Sequence, residues 1–240
     1  MLLDLFSPEG LISLTTLVFL EIILGIDNII FIALICSYLP KKDQKKSRTI
    51  GLMLAMVFRI FLLLGITSLA RLVQPLFSIA SFDVSGRDLI LFGGGVFLIY
   101  KTVIEIYNKL AGQEEGIEKK EKFLSVSQAI FQITIIDIIF SFDSILTAVG
   151  LSRDIPVMIT AVVLSMFVML LFAPYVSNFI SKYPTIKMLA LVFLVAIGAL
   201  LVLEGCHVHV EKNYVYFAIG FSLLVELLNI RLRKIKHQAK

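Results

Sequence analysis

Seven apolar runs of 19 to 29 residues constrain this chain more than any other feature, because each is long enough to cross the hydrocarbon of a bilayer as a helix. They fall near residues 11–39, 50–71, 88–108, 124–150, 155–180, 186–204 and 213–231. With 58% hydrophobic residues in 240, the chain carries more apolar surface than a single soluble core can bury. The expected fold class is all-α, a polytopic membrane protein of seven transmembrane helices. The first ten residues, MLLDLFSPEG, include Asp4 and Glu9 but no basic cluster. The positive segment of a signal peptide is therefore missing, and the first helix is expected to stay in the mature protein. Two cysteines, Cys36 and Cys206, suggest no disulfide framework.

The basic residues give an orientation. Alternating the segments between spans, 17 of the 22 Lys and Arg fall on one side: in KKDQKKSR, in Lys101 to Lys122, in the 181–187 loop and in the tail RLRKIKHQAK. Arg71, Arg87, Arg153 and Lys212 fall on the other, and Arg59 alone sits inside a span. The positive-inside rule then places the N-terminus out and the C-terminus in. The one clearly hydrophilic linker, at 112–122, divides the chain into a first three-helix repeat (1–111) and a second, inverted one (123–205). A seventh helix and basic tail follow (206–240).

The repeat is visible in the residues themselves. EIILGIDNIIFIA (21–33) aligns with DIIFSFDSILTAV (137–149), so that Glu21 meets Asp137, Asp27 meets Asp143, and Asn28 meets Ser144. Matched spans three places apart run in opposite directions, which is the pattern of an inverted 3+3 repeat with one added helix. FGGGVFLIY (92–100) and LVAIGALLV (194–202) form a weaker third match. The triple glycine lacks the lysine and hydroxyl of a phosphate loop and reads as close helix packing.

Four acids in two spans need a reason. Each costs roughly 2.5–3.5 kcal/mol at the centre of a lipid-facing helix, so they are expected to face the interior and meet a cation. On a regular helix, residues six apart point about 120° apart and lie about 9 Å apart along the axis. Glu21 and Asp27 therefore need a break to converge, and Gly25 and Ser141 stand at the matching midpoints. Carboxylates with an amide and a hydroxyl, and no thiol or imidazole, suit a hard divalent ion such as Mn²⁺, Mg²⁺ or Ca²⁺.

These stretches, LEIILGIDNIIFIA, SGRDLILFGGGVFLIYKT, DIIFSFDSILTAVG and IGALLVLEG, together resemble the TerC family of integral membrane proteins. The resemblance is to the short, stand-alone bacterial type rather than to members joined to cytoplasmic regulatory domains. It implies a metal site at Asp27 and Asp143, with Glu21 and Asp137 beside them. The family is named for tellurium resistance, several members are implicated in manganese export, and it is grouped with lysine-exporter-like transporters of three-plus-three inverted arrangement.

Other polar residues have two readings each. Arg59 either balances the acids or snorkels from its helix. Lys101, four residues before Glu105, is either half of an interfacial pair or a gate. Cys206, His207 and His209 in GCHVHVEK form either an ordinary loop or an external capture site for a softer metal.

The expectation is a multi-pass carrier of the bacterial inner membrane that exports a divalent cation, Mn²⁺ foremost, by alternating access. Asp27 and Asp143 bind the ion, Glu21 and Asp137 complete its shell or take up protons, and Asn28 and Ser144 lend neutral oxygens. Arg59 and Lys101 are the charge-balancing or gating candidates. No ATP-binding motif occurs, so a gradient is the expected driving force, with proton exchange as the counter-movement. The alternative is a metal-binding membrane stress or assembly factor, of the tellurium-resistance type, without transport activity. No enzymatic activity is expected, since no nucleophile–base constellation is present. No organic cofactor and no nucleic-acid partner are expected. Membrane lipid against the basic loops, the transported ion and a homo-oligomer complete the expected partners.

Overall fold

The computed structural model describes residues 7–65, 73–79, 82–111, 125–151, 154–208 and 210–238. In chain order the elements are α1 (Pro8–Leu24), α2 (Ile26–Ser37), α3 (Lys41–Leu64), a hairpin of β1 (Pro75–Ile79) and β2 (Phe82–Ser85), α4 (Gly86–Leu110), α5 (Val126–Leu151), α6 (Ile155–Lys182), α7 (Pro184–Gly205) and α8 (Lys212–Gln238).

Local chemistry fixes where several of these helices begin. Ser7 precedes Pro8 and its Oγ accepts from the Gly10 N–H at 3.0 Å, capping α1. Ser85 does the same for α4, accepting from the Asp88 N–H at 3.2 Å while the Asp88 carboxylate accepts from the Ser85 N–H at 2.8 Å. The segment SGRD is thus a buried capping box. Ser125 and Gln128 repeat the device at α5, with reciprocal bonds of 3.2 and 3.1 Å.

Five helices are long and apolar enough to cross a membrane: α3, α4, α6, α7 and, over Asn213–Leu232, α8. The α1–α2 pair, bent by 40° at Gly25, makes a sixth if it is one span. In α5 the apolar helical stretch is Val126–Phe142. Length and composition of the described residues therefore support five to six crossings. Large apolar side chains such as Phe61, Phe167, Phe172, Tyr175, Phe217 and Phe221 point outward, as lipid-facing helices require.

The described residues are all-helical but for one short hairpin: β1 and β2 pair antiparallel, Ile79 opposite Phe82 and Phe77 opposite Val84, with an irregularity between Pro75 and Phe77. One expectation needs correction: KKDQKKSR, read as a loop, forms the first two turns of α3 instead. Lys, Gln and Arg are good helix formers, and Pro40 immediately precedes the first turn.

The chain divides into two compact units. The first holds α1, α2, α3, the hairpin, the start of α4, α5 and most of α6. In it α3 lies along α5, and α1 and α2 also pack on α5. The second unit holds the rest of α4 with α7 and α8. Each unit takes segments from both sides of the 112–122 linker, so sequence divisions at 1–111 and 123–205 are not compact bodies.

Within the second unit, α4 and α7 meet backbone to backbone. A Cβ added at Gly95 would fall 2.6 Å from the Gly198 carbonyl oxygen, and one at Gly198 would fall 3.1 Å from that of Gly95. Gly93, two residues earlier, has open space at its Cβ position. Gly95→Leu is expected to destabilise the purified protein by about 1–3 kcal/mol, the usual cost of overpacking. Gly93→Leu is expected to leave the detergent melting temperature near that of the parent. Equal melting temperatures for the two variants would contradict the close crossing.

Candidate metal centre

The bend at Gly25 is a matter of space. Gly25 ends α1, donating its N–H to the Ile22 carbonyl at 3.2 Å, and α2 starts at the next residue. A Cβ here would sit 2.6 Å from Met169 Sδ and 2.8 Å from the Glu21 carbonyl oxygen. Any side chain here would have to displace the Met169 thioether and crowd the Glu21 carbonyl. The break puts Glu21 in the last turn of α1 and Asp27 in the first turn of α2, where an acid also suits the helix dipole.

Its counterpart differs. α5 is one helix from Val126 to Leu151 and does not break at Ser141. The reason lies in what the serine does. Ser141 Oγ donates to Asp137 Oδ2, one turn back, at 3.1 Å, and accepts from Arg59 Nε at 2.9 Å. The hydroxyl is spent on a side-chain network instead of interrupting the backbone ladder, as Gly25 does in the first copy. Ser141, expected only as a helix break, is instead a site residue. Its signal was available, since it sits one helical turn after Asp137 and opposite Gly25 in the repeat.

At the centre is Arg59, on α3 and only 2% exposed. Its Nη1 donates to Glu21 Oε2, and its Nη2 lies 3.4 Å from Asp137 Oδ1. Asn28 Nδ2 donates to the same Asp137 oxygen at 2.9 Å. The matched acids Glu21 and Asp137, from opposite sides of the linker, thus meet at one guanidinium. Arg59 does not snorkel. Glu21, Asp27, Asn28, Asp137, Ser141 and Ser144 are all buried.

The remaining candidates fall as follows. Asn28 Oδ1 is buried with no hydrogen-bond partner, an acceptor held ready in the cluster. Ser144 Oγ donates to the Ser141 carbonyl at 3.2 Å. Asp143 belongs to α5, but its side chain lies outside the described residues. Among the described residues no three His, Cys, Asp or Glu side chains converge as a metal site. Lys101 belongs to α4 in the second unit, whereas the cluster is wholly in the first. Of the softer loop, His209 lies outside the described residues, and Cys206 is an exposed free thiol. His207, at φ 60°, ends α7: its N–H donates to the Glu204 carbonyl at 3.1 Å, and the Val208 N–H donates to that of Leu203 at 2.8 Å. This is a Schellman cap, a backbone role for that residue.

Residues 6–240 match the model of the integral membrane protein TerC family. The chain belongs to the TerC family. An inner membrane protein of Escherichia coli K12, UPF0053 inner membrane protein YgdQ, is 47% identical over 93% of this TerC chain and 94% of its own length. A UPF0053 protein of Haemophilus influenzae is 44% identical over 95% and 97%. The longer E. coli protein YoaE is 42% identical over 98% of this chain, which spans only 46% of that relative. No solved structure matches. With its apolar helices and these relatives, this TerC protein is a multi-pass protein of the inner membrane.

Because Arg59 and the two acids are fully desolvated, removing one partner strands a buried charge. Arg59→Ala and Glu21→Ala are each expected to cost about 3–5 kcal/mol, and the double variant clearly less than their sum. Thermal unfolding of the four proteins in detergent gives the coupling, and strictly additive losses would show the pair to be unimportant.

Proposed function

We propose that this protein is a carrier that exports a divalent metal cation, Mn²⁺ foremost, from the cytoplasm by alternating access. On this reading α1 and α2 form one broken span, followed by α3 and α4. Next come α5, α6 and α7 as their inverted counterparts, and α8 is the seventh span. The excess of Lys and Arg in alternate segments supports an outside N-terminus and an inside C-terminus.

One observation carries the reading: acids matched by the internal repeat are buried together at a broken helix, beside an amide oxygen that has no partner. Broken helices with facing carboxylates are where inverted-repeat carriers hold ions. Asp27 and Asp143 are the direct ligands, one from each repeat. Asn28 Oδ1 and Ser144 Oγ supply neutral oxygens, and Glu21 and Asp137 complete the shell. All are hard donors, which favours Mn²⁺, Mg²⁺ or Ca²⁺ over thiophilic metals. The cluster offers charge and coordination rather than an activated nucleophile, so the protein acts as a carrier and not as an enzyme.

The test is flux. Purified protein in liposomes loaded with Mn²⁺ is expected to release the ion, whereas a membrane scaffold that binds metal only structurally would release none. Asp27→Asn is expected to abolish that release and to leave cells sensitive to excess manganese, with membrane insertion unchanged. Normal manganese clearance by this variant would remove Asp27 from the site.

A further inference from the structure

An arginine is an odd companion for a cation site. Its charge repels the substrate, and a guanidinium keeps its proton under any working condition. Yet Arg59 is enclosed at the centre of the cluster, with Nη1 on Glu21, Nη2 on Asp137 and Nε on Ser141. The two carboxylates it holds are the matched pair contributed by the two copies of the repeat. Its positive charge therefore lies where the charge of a bound ion is needed.

An alternating carrier faces opposite problems with its site full and empty. When the site is loaded, the metal compensates part of the acids' charge. Empty, the same acids remain in a low-dielectric interior and must still cross to the other orientation, and uncompensated charges there are costly. Carriers commonly solve this by binding a second ion or protons on the return. Here a guanidinium already occupies that role. It hangs on a flexible stem and is only weakly hydrated, so it can leave the carboxylates when a divalent ion arrives and return when the ion departs.

We infer that Arg59 is a tethered counter-cation that takes the place of the metal in the empty carrier, so that the return step needs no ion or proton bound at Glu21 and Asp137. This rests on the carrier reading above, and it replaces the expectation that those two acids take up protons. Arg59 has no part in binding the metal. It offsets one of the acids' charges as the empty site reorients.

Two transport modes separate these roles. Net efflux of Mn²⁺ into metal-free buffer requires the empty carrier to return, while exchange of internal for external Mn²⁺ requires only the loaded form. Both are measured in proteoliposomes of the full chain, with K⁺ and valinomycin clamping the voltage. Wild-type protein is expected to perform both, and if it performs neither, the carrier reading itself falls. Arg59→Gln is expected to keep exchange and lose net efflux by about 100-fold, the population cost of one more uncompensated charge in the bilayer interior. Net efflux at the wild-type rate in this variant, or loss of exchange along with efflux, would overturn the inference. Arg59→Lys keeps the charge and is expected to show net efflux well above the glutamine variant. If Arg59→Gln is not recovered from membranes, the lysine variant decides alone. Net efflux together with exchange supports the counter-cation; exchange without net efflux, or loss of both modes, overturns it.

Discussion

The contact on which the rest depends is the buried guanidinium of Arg59 between Glu21 and Asp137. It ties α1, α3 and α5 together in a desolvated interior, where Asn28 and Ser141 are the neutral partners of the same groups. Attraction between the charges is large there, but so is the cost of having desolvated them, and such pairs rarely add much net stability. What they do supply is register. A helix slid or rotated by one residue would leave a bare charge in the interior, so α3 and α5, the most extensive helix pair of the first unit, have one permitted alignment.

The packing around this cluster serves the same end. Ser141 holds both Arg59 and Asp137, Asn28 reaches across from α2 to Asp137, and Met169 packs close to Gly25 at the bend before Asp27. Polar residues that look redundant along a single helix form one connected network once α1, α2, α3 and α5 are assembled. The loose end of that network is Asn28 Oδ1, a desolvated acceptor with no hydrogen-bond partner.

Much of this was legible in the sequence, for identifiable reasons. Apolar runs of bilayer length announce themselves, and acids inside them are too costly to be incidental. The break at Gly25 followed from helix geometry and the one residue without a side chain. The unbroken course of α5 did not, because serine is compatible with a helix and its hydroxyl found its partners on α3, outside the reach of local pattern. The partner of Arg59 was hidden for the same reason: nothing along α3 says which of several acids will face it. The hairpin at Pro75–Ile79 and Phe82–Ser85 was missed because strands this short hardly differ from a loop, and the helical start of α3 because its charges outweighed its propensity.

The contact between Gly25 and Met169 has a mechanical consequence. The bend between α1 and α2 does not bear on a rigid wall but on a thioether, the softest and most adaptable side chain available to a core. Its rotatable bonds let the angle between the two helices change by small amounts while the joint stays filled. A branched residue at position 169 would fix that angle, and a smaller one would leave a void at the joint. The α1–α2 joint is therefore a cushioned elbow, whereas α5, continuous through Ser141, is a strut.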